Sequence, residues 1–293
     1  MRYSFRGKED GVKKLLCVLA FILIISIPKV AWANTYVNQN GVEMTQEQYL
    51  DLLKIYSEKH ISVLDQDKFN EIMNMGLDFD NVKQDVRYIK TEYNQVTGAV
   101  NNSEISKEEY DNVVEDTQVS RSTMIETSYK RIALALTKTT STYAYFGFNA
   151  IWKIMPKVRS FDVIGVRFSN LEVINATQGG RQIYDLNGTT SYVQYNWNGT
   201  NIKNLDNGFG ISMNLLNSDV TYLECTIDST LDVEGYPATL FASYQHAVED
   251  VTLATSQNYS IGVGLGNVFV FNNNIGSKYD GMQGVYDYIS SAS

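Results

Sequence analysis

The feature that most constrains the fold is the regular spacing of turn residues through the second half of the chain. From Tyr143 onward, short runs that alternate apolar with polar side chains are separated by Gly-Gly, Asn-Gly and Asp-Asn-Gly sequences. Half-buried strands show this alternation, and Asn-Gly pairs favour tight hairpins because both residues tolerate a positive φ. The pattern predicts an antiparallel sandwich or open barrel. Its strands are expected near residues 150–155, 160–168, 191–197, 208–215, 220–231, 239–246 and 258–271.

The region before it, residues 34–120, is acidic and rich in helix-forming side chains. Thr45 with Gln48, Asp65, and Ser106 with Glu109 have the spacing of helix N-caps and capping boxes. Residues 78–95 fit either one amphipathic helix or a strand that opens a second domain. The sequence therefore predicts an α+β protein, with a helical N-terminal segment over residues 34–120 and an antiparallel β-sandwich-like domain over residues 121–293.

Residues 1–33 have the three parts of a secretory signal peptide. Five basic side chains precede an apolar run over residues 15–27, and Ala31 and Ala33 then offer the small residues that a signal peptidase reads. The apolar run is shorter than the ~20 residues that a membrane-spanning helix needs. We therefore expect cleavage after Ala33 and an extracellular protein.

Charge and cysteine content limit the partners and the covalent cross-links. The chain has 24 Lys and Arg against 33 Asp and Glu, and without residues 1–33 its net charge is about −13. Nucleic acids require basic patches, so a nucleic-acid partner is not expected; membrane contact stays possible. Cys225 is the one thiol outside the predicted signal peptide, which excludes an intrachain disulfide in the cleaved chain. Its place in an alternating run predicts an inward, inert side chain.

The chain contains two histidines, the side chains most often used for acid and base catalysis near neutral pH. His60 ends a predicted helix, where a cation is favourable. His246 ends a predicted strand just before Glu249 and Asp250, so an imidazole and two carboxylates could share a neighbourhood; the alternative is a histidine at a strand end with no catalytic role. The sequence has no HExxH, Gly-x-Ser-x-Gly or paired-cysteine motif. No metal and no cofactor is therefore predicted, and nothing positive indicates an enzyme.

Aromatic side chains are the one enrichment that suits binding. The chain has 20 tyrosines, and Tyr192, Tyr195 and Trp197 lie beside the Asn198-Gly199 turn, at the expected rim of the sandwich. Flat rings with a polar tip suit contact with sugars and proteins equally well. These three residues are the predicted ligand-binding site, with core packing as the alternative role.

Four stretches of the sequence resemble exported proteins of Gram-positive bacteria. They are residues 40–49, 155–165, 244–251 and 278–284. The resemblance implies an extracellular bacterial protein, and it implies no activity and no functional residue.

Three functions are compatible with these observations. The first is a secreted, non-catalytic module that binds a glycan or a cell-surface protein. The second is a membrane-active, pore-forming-like factor, in which residues 137–145 or 258–271 rearrange into an amphipathic hairpin. The third is a hydrolase that uses His246 with Glu249 or Asp250. Dye release from liposomes would identify the second, and loss of turnover in His246→Ala would identify the third.

Overall fold

The computed structural model describes residues 35–114, 125–139, 142–233, 237–262, 268–282 and 284–289. The predicted signal peptide, residues 1–33, lies outside the described residues.

A small layer of helices opens the described chain. A two-stranded ribbon leads into three helices of seven, five and nine residues. Their N-caps are largely those the sequence predicts: the Thr45 hydroxyl accepts from the Gln48 amide at 3.1 Å, and the Asp65 carboxylate accepts from the Lys68 amide at 2.8 Å. The elements are β1 (Thr35–Val37), β2 (Glu43–Thr45), α1 (Gln46–Leu52), α2 (Glu58–Ser62) and α3 (Gln66–Asn74).

The larger of the two main sheets, sheet one, contains eight strands of the described chain, all antiparallel. Its order is β10, β9, β13, β6, β5, β3, β4, with β8 paired to the end of β13. The β9–β10 hairpin turns at Asn187 and Gly188, which both have positive φ, as the Asn-Gly signal predicts. The strands are β3 (Lys83–Asn94), β4 (Val100–Ile105), β5 (Ile125–Lys138), β6 (Tyr143–Ile154), β8 (Glu172–Val173), β9 (Gly179–Leu186), β10 (Thr189–Asn196) and β13 (Tyr222–Asp232).

Sheet two packs against one face of sheet one and contains five strands of the described chain. Its order is β11, β12, β7, β14, β17, again with antiparallel pairing. A small hairpin, β15 with β16, covers part of its outer face. The strands are β7 (Phe161–Ser169), β11 (Ile202–Leu205), β12 (Gly208–Asn214), β14 (Ala238–Gln245), β15 (Tyr259–Ile261), β16 (Phe269–Phe271) and β17 (Val285–Ile289). The described residues also contain two short α-helices, α4 (Lys107–Asn112) and α5 (Leu253–Ser256), and two 3-10 helices, Phe79–Asn81 and Asn273–Lys278.

The main core lies between the two sheets. Alternate residues of β6 and β13 point inward from sheet one, and alternate residues of β7 and β14 meet them from sheet two. Each large aliphatic or phenylalanine side chain buried there contributes about 1.5–3 kcal/mol of hydrophobic free energy. Cys225 is among them and is fully buried, so its thiol has a raised pKa. Members of this core include Phe146, Phe148, Cys225, Ile227, Ile164, Val166, Leu240 and Ala242.

The helical layer covers the opposite face of sheet one. Ile55 sits over Gly147 of β6, where a Cβ atom would come within 2.8 Å of the isoleucine Cγ2. The absence of a side chain at Gly147 therefore lets the helices approach the sheet closely. Beneath them, Glu224, Thr226 and Asp228 of β13 form a polar face, and the helices bury it.

The predicted α+β class, with its helical N-terminal segment, is wrong: the described chain is mostly antiparallel β-sheet. The helices before residue 120 are short, and β3 and β4, which lie in the same region, belong to the largest sheet. The spacing of apolar residues over residues 78–95 left a helix and a strand open, and the structure has the strand β3 there, with charged residues that pair two apart along the strand. Arg87 lies 3.3 Å from Asp85, and Lys90 lies 2.6 Å from Glu92.

Among the described helices, none is long and apolar enough to span a membrane. The two segments proposed to rearrange into membrane hairpins occupy different places. The last residue pairs between β5 and β6, in the middle of sheet one, lie within residues 137–139 and 142–145. Thr137 and Tyr145 are buried there. In the second segment, residues 259–261 and 269–271 form β15 and β16, and Tyr259 and Phe269 pack on the outer face of sheet two.

Candidate functional site

The structure separates the three residues suggested for hydrolysis. His246 follows the last residue of β14 and is 4 % exposed. Glu249 forms a surface ion pair with Lys278, at 2.9 Å, and Asp250 is exposed. The carboxylate that contacts the His246 imidazole is Asp162 of β7, with both of its oxygens 3.0 Å from Nδ1.

Asp162 is the centre of a buried hydrogen-bond cluster. Its carboxylate also accepts from the Ala247 amide at 2.9 Å and from the Tyr244 hydroxyl. The Tyr244 oxygen in turn accepts from the Trp152 indole nitrogen at 3.1 Å. Burial and the neighbouring carboxylate raise the pKa of Tyr244 well above its usual value, so this hydroxyl stays protonated. Trp152 belongs to sheet one and Asp162 to sheet two, so the cluster joins the two sheets.

A buried ion pair extends the cluster. Lys130 of β5 is fully buried and donates to the Asp280 carboxylate, with its ammonium 4.9 Å from the centre of the Trp152 ring. Asp280 also accepts from the His246 amide at 3.1 Å. Each charged group in this region therefore has a charged or hydrogen-bonding partner, as buried charges require.

The geometry of the cluster fits a structural link better than an active centre. The imidazole touches a surface depression beside Thr91 and Ser128, but that depression has a volume of only about 10 Å³. This is space for about one water molecule, too little for a substrate. The cluster holds the imidazole in place through Nδ1 and leaves no room for a reacting group beside the ring.

His60 is not the helix-end cation that its position suggested. It lies on the buried side of α2, with its ring 4.2 Å from that of Tyr56, and neither ring nitrogen has a hydrogen-bond partner in the described chain. Burial lowers its pKa well below 6.5, and the nearby charges of Arg181 and Lys68 lower it further. The imidazole is therefore neutral at pH 7.

The predicted aromatic trio does not form one surface. Tyr192 lies under the guanidinium of Arg181, which is 4.7 Å from the ring centre. Tyr195 has the opposite orientation on β10 and packs into the core between the sheets, where burial raises its pKa. Trp197, 41 % exposed, is the member that presents a ring to solvent.

A second set of aromatic side chains, on the edge of sheet two, is more exposed. Tyr286 and Tyr288 are 54 % and 58 % exposed and project from the same face of β17. The Tyr286 ring stacks on that of Phe241, with centroids 5.7 Å apart, and the guanidinium of Arg167 lies 4.2 Å from the other side of Phe241. Arg167, Phe241 and Tyr286 face one another across three adjacent strands. We call Phe241, Tyr286 and Tyr288 the β17 aromatic surface.

A pocket with several polar side chains in its lining adjoins this surface. It has a volume of about 180 Å³ and lies between Tyr288 and the start of β3. The Asn81 amide donates to the Asp78 carboxylate at 2.8 Å, and the Lys83 ammonium lies 4.0 Å from the centre of the Tyr288 ring. Leu136, Thr137 and Lys138 complete the lining. An aromatic ring, an amide, a carboxylate and a cation thus meet at one edge of the sandwich.

This surface is not among the predicted sites, although the sequence contains a signal for it. Residues 285–289 alternate as Val-Tyr-Asp-Tyr-Ile, the pattern of a strand with tyrosine on one face.

No group of three or more His, Cys, Asp or Glu side chains that could hold a metal ion occurs within the described ranges.

Comparisons with known proteins add little. No protein-family model matches the sequence, and no curated protein matches it significantly. Among solved structures, the membrane-inserted form of the Clostridium perfringens NetB toxin is 10 % identical. The alignment covers 56 % of this chain and 84 % of the toxin chain, with a TM-score of 0.15. A similarity at this level carries no argument about fold or function.

Proposed function

We propose that this protein is an extracellular, non-catalytic saccharide-binding module whose ligand stacks on the β17 aromatic surface. The predicted signal peptide supports the location. The proposal keeps the class of function that the sequence favoured and moves the binding residues from the β10 turn to β17.

The observation that carries the proposal is the exposure of Tyr286 and Tyr288, side by side on an edge strand. Large aromatic side chains are usually buried, because each loses favourable free energy when it contacts water. The stack on Phe241 holds the Tyr286 ring in one orientation, which lowers the entropy lost when a ligand binds. A flat apolar ring with a hydroxyl at its tip can contact the apolar face of a sugar and bond to its hydroxyl groups.

The adjoining pocket favours a saccharide over a protein partner. Protein interfaces of standard size bury about 800 Å² on each partner around an apolar centre. Here two rings lie next to a small pocket that contains Asp78, Asn81 and Lys83. Carboxylate, amide and ammonium groups in a confined space match the dense hydroxyl groups of a sugar unit.

The test is retention of the purified protein on insoluble cellulose, chitin and bacterial peptidoglycan. We compare the wild type with Tyr286→Ala/Tyr288→Ala, and we use Trp197→Ala as the matched control because it removes an exposed ring elsewhere. The proposal predicts that the wild type and Trp197→Ala bind one of these polymers and that the double variant does not. Retention by the double variant with loss in Trp197→Ala would instead favour the β10 turn. No binding to any of the three polymers would contradict the proposal.

The same preparation distinguishes the membrane-active alternative. The wild-type protein is added to dye-loaded liposomes of phosphatidylcholine and phosphatidylglycerol. A binding module leaves the dye inside. Rapid dye release would mean that the protein acts on the bilayer, and it would replace the saccharide proposal if no polymer were bound.

A further inference from the structure

A second pocket lies between the helical layer and sheet one. It has a volume of about 230 Å³, and the chain segment between α1 and α2, including Ile55, forms one wall. Ala133 and Ala135 of β5 form the opposite wall. An apolar cavity of ~150 Å³ accommodates a benzene-sized molecule, so this pocket has room for a small organic ligand.

The polar end of this pocket contains an arginine that forms no ion pair with a carboxylate of the described residues. Arg131 of β5 is half-buried, and its Nη1 donates to the Asn149 side-chain oxygen at 3.2 Å. In the part of the chain that the structure describes, no Asp or Glu lies within 4 Å of its guanidinium, whereas Arg181 contacts Asp65 and Arg87 contacts Asp85. A half-buried guanidinium is the preferred partner of a carboxylate, because its parallel N–H groups match the two oxygens.

The other groups near the pocket leave this position open to an anion. Lys54 forms an ion pair with Asp51, and Glu58 is exposed. The buried Glu224 accepts from Ser57, which lines the pocket, and from Tyr222. Burial raises the pKa of Glu224, whereas its hydrogen bonds with Ser57 and Tyr222 and the nearby charge of Arg131 lower it. The side-chain nitrogen of the buried Asn149 has no hydrogen-bond partner among the described residues and can donate beside Arg131.

We propose that this pocket binds a small monocarboxylic acid with an apolar body. The carboxylate of the acid accepts hydrogen bonds from the Arg131 guanidinium and the Asn149 side-chain amide. The apolar body of the acid contacts Ile55, Ala133 and Ala135. The site is independent of the saccharide surface, since it lies on the face of sheet one that the helical layer covers.

The probes are benzoate and hexanoate, with benzyl alcohol and hexanol as neutral controls. Binding to the full-length protein is measured by titration calorimetry and by the thermal midpoint, which a ligand of the folded state raises. We expect one acid to bind and its matched alcohol to bind at least about tenfold more weakly, because the alcohol lacks the charge-assisted hydrogen bonds.

Two variants test the position of the ligand. Arg131→Gln is expected to weaken acid binding by about tenfold or more, while Arg87→Gln, on the neighbouring strand, leaves it unchanged. Ala133→Leu fills the pocket without altering any charge and is expected to abolish binding. It also serves as the test if Arg131→Gln fails to fold. Absence of binding of both acids at 10 mM (about 100-fold above a typical affinity of ~0.1 mM), or equal binding by Ala133→Leu, would overturn the proposal.

Discussion

His246 and Asp162 lie 84 residues apart in the sequence, yet the imidazole Nδ1 of the first is 3.0 Å from both carboxylate oxygens of the second. Asp162 accepts further hydrogen bonds from Tyr244 and from the Ala247 amide, and it is completely buried. The relationship joins the start of β7 to the end of β14 and explains why His246 is fixed inside the sandwich rather than free at a loop.

Asp162→Asn is expected to destabilise the protein strongly. The substitution keeps the size of the side chain but places an NH₂ group against donors, which leaves buried donors without an acceptor. The expected loss is about 3 kcal/mol in the free energy of unfolding. Urea denaturation measures it, with the exposed Asp206→Asn as the control. An equal, small change in both variants would show that the cluster contributes little.

The buried pair of Lys130 and Asp280 is expected to show strong coupling. Lys130→Met leaves the Asp280 carboxylate buried without its counter-charge, at a cost of roughly 3–5 kcal/mol. Adding Asp280→Asn is expected to recover part of that loss, because the uncompensated charge disappears. A double-mutant cycle in urea measures the coupling. The exposed pair of Lys107 and Asp111 is the control, and additive effects at the buried pair would contradict the interpretation.

His60 is expected to make stability depend on pH. The unfolded chain binds a proton at His60 near pH 6.5, whereas burial and the charges of Arg181 and Lys68 lower the pKa in the folded state. The unfolded state therefore binds more protons below pH 6.5, and stability falls as the pH drops, by up to about 1.4 kcal/mol per pH unit. Above pH 6.5 His60 is neutral in both the folded and the unfolded state, so this loss of stability is absent there.

The measurement is the free energy of unfolding of the wild type and of His60→Gln at pH 7.5 and pH 5. The variant cannot take up this proton, so its stability is expected to fall less over the same interval. Carboxylates that titrate in this range affect both proteins equally. Identical pH slopes in the two proteins would contradict the role given to His60.

Gly147→Ala is expected to weaken the attachment of the helical layer. A Cβ atom there would lie 2.8 Å from Ile55 Cγ2, and overpacking of this kind costs about 1–3 kcal/mol. Gly179→Ala is the matched control, since the nearest atoms to its Cβ would be 3.9 Å away. In an Ile55→Ala background, which lacks the Cγ2 methyl group, Gly147→Ala is expected to lower the thermal midpoint less than it does in the wild type; an equal loss in both backgrounds would mean that Ile55 is not the obstacle.

The sandwich was predictable from the sequence because its signals are local. Alternation and the Asn187-Gly188 turn identify strands and hairpins without knowledge of distant residues. The first sheet strand was ambiguous because its charged residues form ion pairs along the strand, as Lys90 does with Glu92, and so do not mark one solvent-facing side. Gly179 and Gly180 looked like a turn but begin β9, where the missing side chain at Gly180 accommodates Ile211 and Met213.

The sites were less predictable because they depend on pairs that are distant in the sequence. Nothing near His246 indicates that Asp162, rather than Glu249, contacts its ring. The stack of Tyr286 on Phe241 similarly requires the pairing of β14 with β17. The exposure of Trp197 and the burial of Tyr195 follow from the position of β10 at the edge of sheet one, which local alternation does not specify.

Saccharide binding by the β17 aromatic surface is tested by the dissociation constants of the wild type and of the Tyr286 and Tyr288 variants on the polymer that retains the protein. Loss of each ring is expected to weaken binding by about tenfold, which corresponds to ~1.4 kcal/mol per aromatic contact. Trp197→Ala is expected to match the wild type. A double variant that binds within about twofold of the wild type would contradict the assignment of saccharide binding to the β17 aromatic surface.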